Sequence, residues 1–129
     1  MSRAPRAGLS LLEVAVVLVV VGALASLAVP RFRAYEYRVH RGTLVRALRD
    51  LAVAENAYWR TVGTYTGDAG ALPGARSAGL SVRIVSADSL GWSARAIAEG
   101  DPSVECAIFY GTAPILPPAT RRNIIGCAP

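Results

Sequence analysis

The chain has 129 residues, no lysine, 14 arginines and nine acids, for a formal net charge of +5. That length suggests one modest domain. Without residues 1–8, which carry Arg3 and Arg6, 12 arginines stand against nine acids, too mild an excess to argue for nucleic-acid binding by charge alone. Two thiols make a poor metal site, and the single histidine, His40, lies far in sequence from Cys106 and Cys127.

Residues 1–8, Met-Ser-Arg-Ala-Pro-Arg-Ala-Gly, are short, basic and without hydrophobic periodicity, and read as a leader peptide. From Leu9 to Val29 nearly every residue is apolar. As a helix that stretch reaches about 30 Å, enough to cross a bilayer core. Its one charge is Glu13, near the start; Val14 to Val29 carries none. Pro30 closes the apolar run without necessarily ending the helix. Phe32, Tyr35, Val39, Leu44, Leu48, Leu51, Ala52, Tyr58, Trp59 and Val62 then recur at spacings near three and four, with arginines and acids between them. Gly63 stands where a C-terminal cap is expected. The spacing predicts one long helix from about Leu9 to about Val62, lipid-compatible in its first half and amphipathic in its second.

Gly63 to Ser77 is rich in Gly, Thr, Ala and Pro and reads as loop. Strands are expected at Leu80–Val85, Trp92–Ala98 and Cys106–Tyr110, with turns at Asp88-Ser89-Leu90-Gly91 and Glu99-Gly100-Asp101-Pro102. The tail from Gly111, with Pro114, Pro117 and Pro118, is expected to be an irregular loop returning to Cys127 with little means of holding itself down by burial. One Cys pair behind an apolar N-terminal segment suggests a disulfide in an oxidising compartment. The expected fold is α+β: a long N-terminal helix with a protruding half, the rest packed on a small antiparallel sheet of three to four strands. The expected division is residues 1–8 (leader), 9–30 (transmembrane helix) and 31–129 (globular part).

Gly8-Leu9-Ser10-Leu11-Leu12-Glu13 resembles the cleavage and methylation motif of type IV prepilins and type II secretion pseudopilins. In that family a basic leader ends in Gly, an apolar residue follows the cut, a Glu lies five positions after the Gly, and a long apolar helix is interrupted by Pro near the place of Pro30. Leu9 departs from the commoner Phe or Met. Leu51 to Trp59 and Gly63-Thr64-Tyr65-Thr66 are similar to the helix end and first loop of many pilin-like sequences, and a C-terminal Cys pair closing a loop is common there. The resemblance covers residues 1–66 well and the remainder loosely.

The resemblance implies a filament subunit and not an enzyme. A prepilin peptidase would cut between Gly8 and Leu9 and methylate the new amine at Leu9. The subunit would wait in the inner membrane as a single-pass protein, then pass through a pilus assembly platform into an extracytoplasmic, cell-surface filament of pilin subunits. Glu13 would meet the positive N-terminus of a neighbouring processed subunit, and Pro30 would shape the assembling helix. No metal or cofactor is implied. Alternatives are a type II secretion pseudopilin and a minor pilin-like module that binds a ligand or DNA for uptake.

Other interpretations compete with parts of this assignment. Ala23-Leu24-Ala25 is similar to a secretory cleavage site, though Glu13 and the length of the apolar run oppose it. Arg31, Arg33, Arg38 and Arg41 follow the span more densely than Arg3 and Arg6 precede it, so a positive-inside count places the C-terminal part in the cytoplasm, against the resemblance and the Cys pair. Arg31, Arg33, Arg38, Arg41, Arg46 and Arg49 are expected on a solvated or headgroup-facing surface, or paired across subunits with Glu36, Asp50 and Glu55. DNA contact there, or at Arg121-Arg122, is the weaker expectation. Asp68, Asp88, Glu99 and Asp101 are candidate calcium ligands without EF-hand spacing. His40 reads as a helix-surface residue.

Overall fold

A computed structural model describes residues 8, 10–73 and 79–128. Residues 1–7, Leu9, 74–78 and 129 lie outside the described residues. The leader apart from Gly8, the proposed methylation position and the end of the first loop therefore fall outside them too.

The first element is helix α1 (Leu11–Val62), 52 residues long with Pro30 inside it. It starts two residues later than the apolar run because Ser10 caps it. At the other end Gly63 takes a left-handed φ of 84°, and its N–H bonds to the carbonyl of Trp59 at 2.7 Å. Glycine adopts that conformation without the steric penalty of a side chain, so the expected cap position is the observed one.

The chain divides into two units, Met1–Glu36 and Tyr37–Pro129. In the first, every described residue of α1 is exposed. The second holds a four-stranded antiparallel sheet, order β1 (Leu80–Ala87), β2 (Gly91–Ala98), β3 (Asp101–Gly111), β4 (Gly126–Cys127). Period-2 alternation decides its faces. Leu80, Val82, Ile84, Trp92, Ala94, Ala96, Ala98, Val104, Cys106 and Ile108 share one core with Leu44, Leu48 and Leu51 of α1. The central strand offers alanines where the helix offers leucines, so large and small side chains interdigitate. This is the expected α+β arrangement, and it is compatible with a pilin fold.

Three details differ from expectation. Strand β3 begins at Asp101, not Cys106, and runs through Pro102. The proline is tolerated because the ladder jumps there: Ile97 pairs with Glu105 while Ala98 pairs with Asp101, leaving Pro102, which has no N–H to donate, in the irregular stretch. The tail supplies β4, paired to β3 at Cys106–Cys127 and Ala107–Gly126. A short 3₁₀ helix, Ala69–Ala71, lies in the first loop.

The helix stripe also packs less completely than its periodicity suggests. Leu44, Ala47, Leu48 and Leu51 are buried, whereas Phe32, Tyr35, Val39, Trp59 and Val62 are exposed. The sheet is only eight to eleven residues long in its main strands. It covers the middle of the stripe and not its ends.

Candidate assembly site

The site expected from the sequence begins at Ser10 and Glu13. Glu13 N–H donates to Ser10 Oγ at 3.2 Å, and Ser10 N–H donates to Glu13 Oε2 at 3.2 Å. Such a reciprocal pair is a capping box, which satisfies two of the amide donors that a helix start leaves without partners. Its signature, Ser-x-x-Glu before an apolar run, stands in the sequence as Ser10-Leu11-Leu12-Glu13, but Ser10 was not singled out there. Glu13 therefore has a role within its own chain: one oxygen closes the helix start. The acidic side chain also suits the positive end of the helix dipole.

Beyond it the helix offers only apolar side chains up to Pro30, apart from Ser26. Ser26 bonds back to the Ala23 carbonyl at 2.7 Å, which removes its hydroxyl as an unmet polar group. Leu11, Leu18, Val19 and Leu27 are among many large apolar side chains exposed along this segment. The segment is long and apolar enough to cross a membrane, and none of it is buried. In water so much exposed apolar surface is unfavourable, so it needs lipid or protein around it. Pro30 lies inside α1, as its sequence position allowed.

At the C-terminus, Cys106 and Cys127 are disulfide-bonded. The intervening loop is held by more than this bond. Ala113, Leu116 and Ala119 pack on Ala107 and Phe109, on the sheet face away from α1. Arg122 lies over the Phe109 ring, 5.1 Å from its centroid, and donates to the carbonyls of Gly111 and Ala113. Arg95 pairs with Glu105 and donates to the Pro117 carbonyl at 3.1 Å. The expectation that the tail has little burial to hold it is thus corrected. Its anchors are small alanines and a proline-set backbone, which periodicity does not detect. Arg122, a candidate DNA contact by sequence, is engaged in holding this loop; Arg121 is exposed.

Glu55, expected to meet arginines of a neighbour, is instead fully buried. Its Oε2 accepts the Thr66 N–H at 3.0 Å and ties the first loop to α1, while Oε1 has no hydrogen-bond partner. Burial raises its pKa above the ordinary 4.5, and the Thr66 amide partly opposes that shift. Next to it Trp59, Tyr65, Tyr110 and Trp92 form a chain of ring contacts, with centroids 6.2, 5.9 and 6.4 Å apart. Burial also raises the Tyr65 pKa.

Of the candidate calcium ligands, Asp68 accepts from Gly70 N–H at 2.9 Å, and Asp88 accepts from Leu90 and Gly91 N–H at 2.8 Å each. Asp101 accepts from Ser103, whose hydroxyl and amide hold its pKa below the ordinary 3.8. These carboxylates order their own turns. Among the described residues no three His, Cys, Asp or Glu side chains gather as a metal group. His40 is half-buried, with Nδ1 shielded and unpartnered. No protein-family model and no curated protein matches the chain.

Proposed function

We propose that the chain is a structural subunit of a type IV pilus-type filament, processed at its N-terminus and assembled from the inner membrane. The observation that carries this proposal is the exposed, uncharged stretch Val14–Val29 set directly behind the Ser10–Glu13 capping box. A disulfide-closed α+β unit on the same chain supports an extracytoplasmic placement. The apolar stretch has two suitable surroundings, lipid before assembly and the helices of other subunits after it. Transfer between the two conserves apolar contact and needs no catalysis by this chain. Cleavage by a prepilin peptidase between Gly8 and Leu9 would place a new positive amine at Leu9, one residue before the Ser10–Glu13 capping box and four before Glu13 itself. In the filament a neighbour's amine would compete for, or share, the Glu13 carboxylate and set the stagger between subunits.

Two substitutions separate Glu13's capping from its charge. Glu13→Gln keeps an acceptor suited to the capping box, whereas Glu13→Ala loses both the cap and the charge. Loss of a helix cap weakens a helix by about 1 kcal/mol. If charge sets the register, both variants insert in the membrane and both fall out of sheared filaments. Normal incorporation of Glu13→Gln would show that the cap alone matters. Mass spectrometry of the wild-type subunit should find an N-terminus at Leu9; a mature start near Ser26 would instead indicate an ordinary secretory signal.

A further inference from the structure

The positive charge of this chain is concentrated in one place. Residues 31–50 hold six arginines and two acids, Glu36 and Asp50, while residues 51–129 hold six of each. Outside the N-terminal eight residues, then, the whole cationic excess sits on the helical segment directly following the apolar run. All six of these arginines are exposed. Among the described residues the one ion pair is Arg95–Glu105, far along the chain, and none of the six pairs with a described carboxylate.

The same segment carries aromatic rings that its own fold leaves uncovered. Phe32 and Tyr35 are each 66% exposed, although both belong to the stripe whose later members enter the core. Rings interleaved with cations immediately beyond an apolar span match the chemistry of a membrane boundary, where amphipathic rings lie at headgroup depth. Arginine stems reach along apolar surface while the guanidinium stays among polar groups. Measured from Pro30, Arg31 and Arg33 lie within about 5 Å along a helix. The headgroup zone adds roughly 5–8 Å to each side of the hydrocarbon, and the arginine side chain extends the reach further. Guanidinium groups bind phosphate oxygens in a two-pronged geometry.

We propose that Arg31 and Arg33, with Phe32 and Tyr35, form a belt that selects anionic phospholipid headgroups around the membrane-stored subunit. The partner is a phosphodiester headgroup with net negative charge; a zwitterionic headgroup supplies the phosphate but cancels its attraction with an ammonium. The belt also gives the arginines that follow the span a counter-charge outside the cytoplasm, where a positive-inside count alone would not place them. Leaving the bilayer for a filament then requires the arginines to exchange lipid phosphates for other anions.

The test uses the full chain in nanodiscs of equal phosphatidylglycerol and phosphatidylcholine, with the co-released lipids counted by native mass spectrometry. The wild type should retain phosphatidylglycerol over phosphatidylcholine on the order of tenfold, since each juxtamembrane arginine favours an anionic surface severalfold. The variant Arg31→Gln/Arg33→Gln should bring the ratio near one. Arg60→Gln/Arg83→Gln/Arg121→Gln, which removes exposed arginines elsewhere, should leave it unchanged. Equal retention of both lipids by the wild type overturns the proposal, and this needs no variant to fold. An equal loss in the control variant also overturns it, because net charge would then suffice. A third overturning result is wild-type protein that binds a short DNA duplex through the same two arginines while showing no lipid preference. Filament incorporation is not the readout, so failure here leaves the proposed assembly role standing, and failure of that role leaves the belt standing.

Discussion

Leu18 and Leu48 occupy the same helix and could hardly differ more in surroundings. Leu18 is 66% exposed and Leu48 is fully buried. The stretch around Leu18 is the more apolar of the two, yet it is the stretch around Leu48 that makes a core. Hydrophobicity alone does not bury a side chain; a complementary face is needed. Ala94, Ala96 and Ala98 on β2 supply that face to Leu44, Leu48 and Leu51. Among the described residues of the first unit nothing supplies one to Leu18. The lesson is that burial and exposure are separated along the sequence of α1: one part packs into a core, the other keeps its apolar side chains exposed.

The sharpest way to break this comparison is a pair of equal truncations. Leu48→Ala should destabilise the globular unit by about 2–5 kcal/mol, the range for large-to-small changes in a core. Leu18→Ala should change its unfolding by less than about 0.5 kcal/mol, as for substitutions outside packed regions. Chemical unfolding of the full chain in detergent, followed by tryptophan fluorescence, reads both, because Trp92 lies in the core at 1% exposure. Equal losses would mean that the first half of α1 contributes to the same cooperative unit.

A smaller effect is expected at the disulfide. Opening the 21-residue separation between Cys106 and Cys127 should remove up to about 3 kcal/mol in the chain-entropy picture. Because the loop is also held by Ala113, Ala119 and Arg122, Cys106→Ser/Cys127→Ser should weaken the unit without freeing the loop. Hydrogen exchange distinguishes the two outcomes at the Asn123 amide, which bonds to the Phe109 carbonyl at 2.9 Å. Its protection should fall in step with global stability; complete loss of protection under native conditions would make the disulfide the sole anchor.

What could be foreseen from sequence follows the same division. The long helix, its Gly63 cap and the two regular strands rest on local chemistry: period 3.6, period 2, and glycine's access to positive φ. They were legible for that reason. The start of β3 was not, because Pro102 argues against a strand unless the ladder is known to skip there. β4 was not, because two residues have no period. Within the candidate site the Ser10–Glu13 pairing stands in the sequence as a Ser-x-x-Glu motif, but its short spacing is common and only the geometry shows the reciprocal bonds. Glu55 was misplaced on the surface because a carboxylate on an amphipathic helix usually belongs there; only the return of the first loop over it, through Thr66, buries it.

Glu55 provides the smallest and most specific test. As a buried carboxylate with a folded-state pKa raised above 4.5, it resists ionisation that the unfolded chain accepts freely. Below pH 4.5 both states hold the proton and the group has no differential effect. As pH rises, the unfolded chain releases its proton first, so stability declines until the folded chain has released its own, and then levels off. Asp101 acts oppositely and lower: its pKa is held below 3.8, so its contribution is present above 3.8 and is lost as pH falls below 3.8 through the lowered folded-state pKa. Glu55→Gln keeps an oxygen for the Thr66 N–H and cannot ionise, so its stability should stay flat across the window where the parent declines. Glu55→Ala instead leaves that amide without its partner, at about 1–3 kcal/mol. Urea midpoints measured from pH 4 to pH 8 for the parent and Glu55→Gln should diverge as pH rises, with the variant the more stable at the upper end. Parallel curves would mean that Glu55 ionises as readily in the folded chain as in the unfolded one, and that the carboxylate between α1 and the first loop is reached by water.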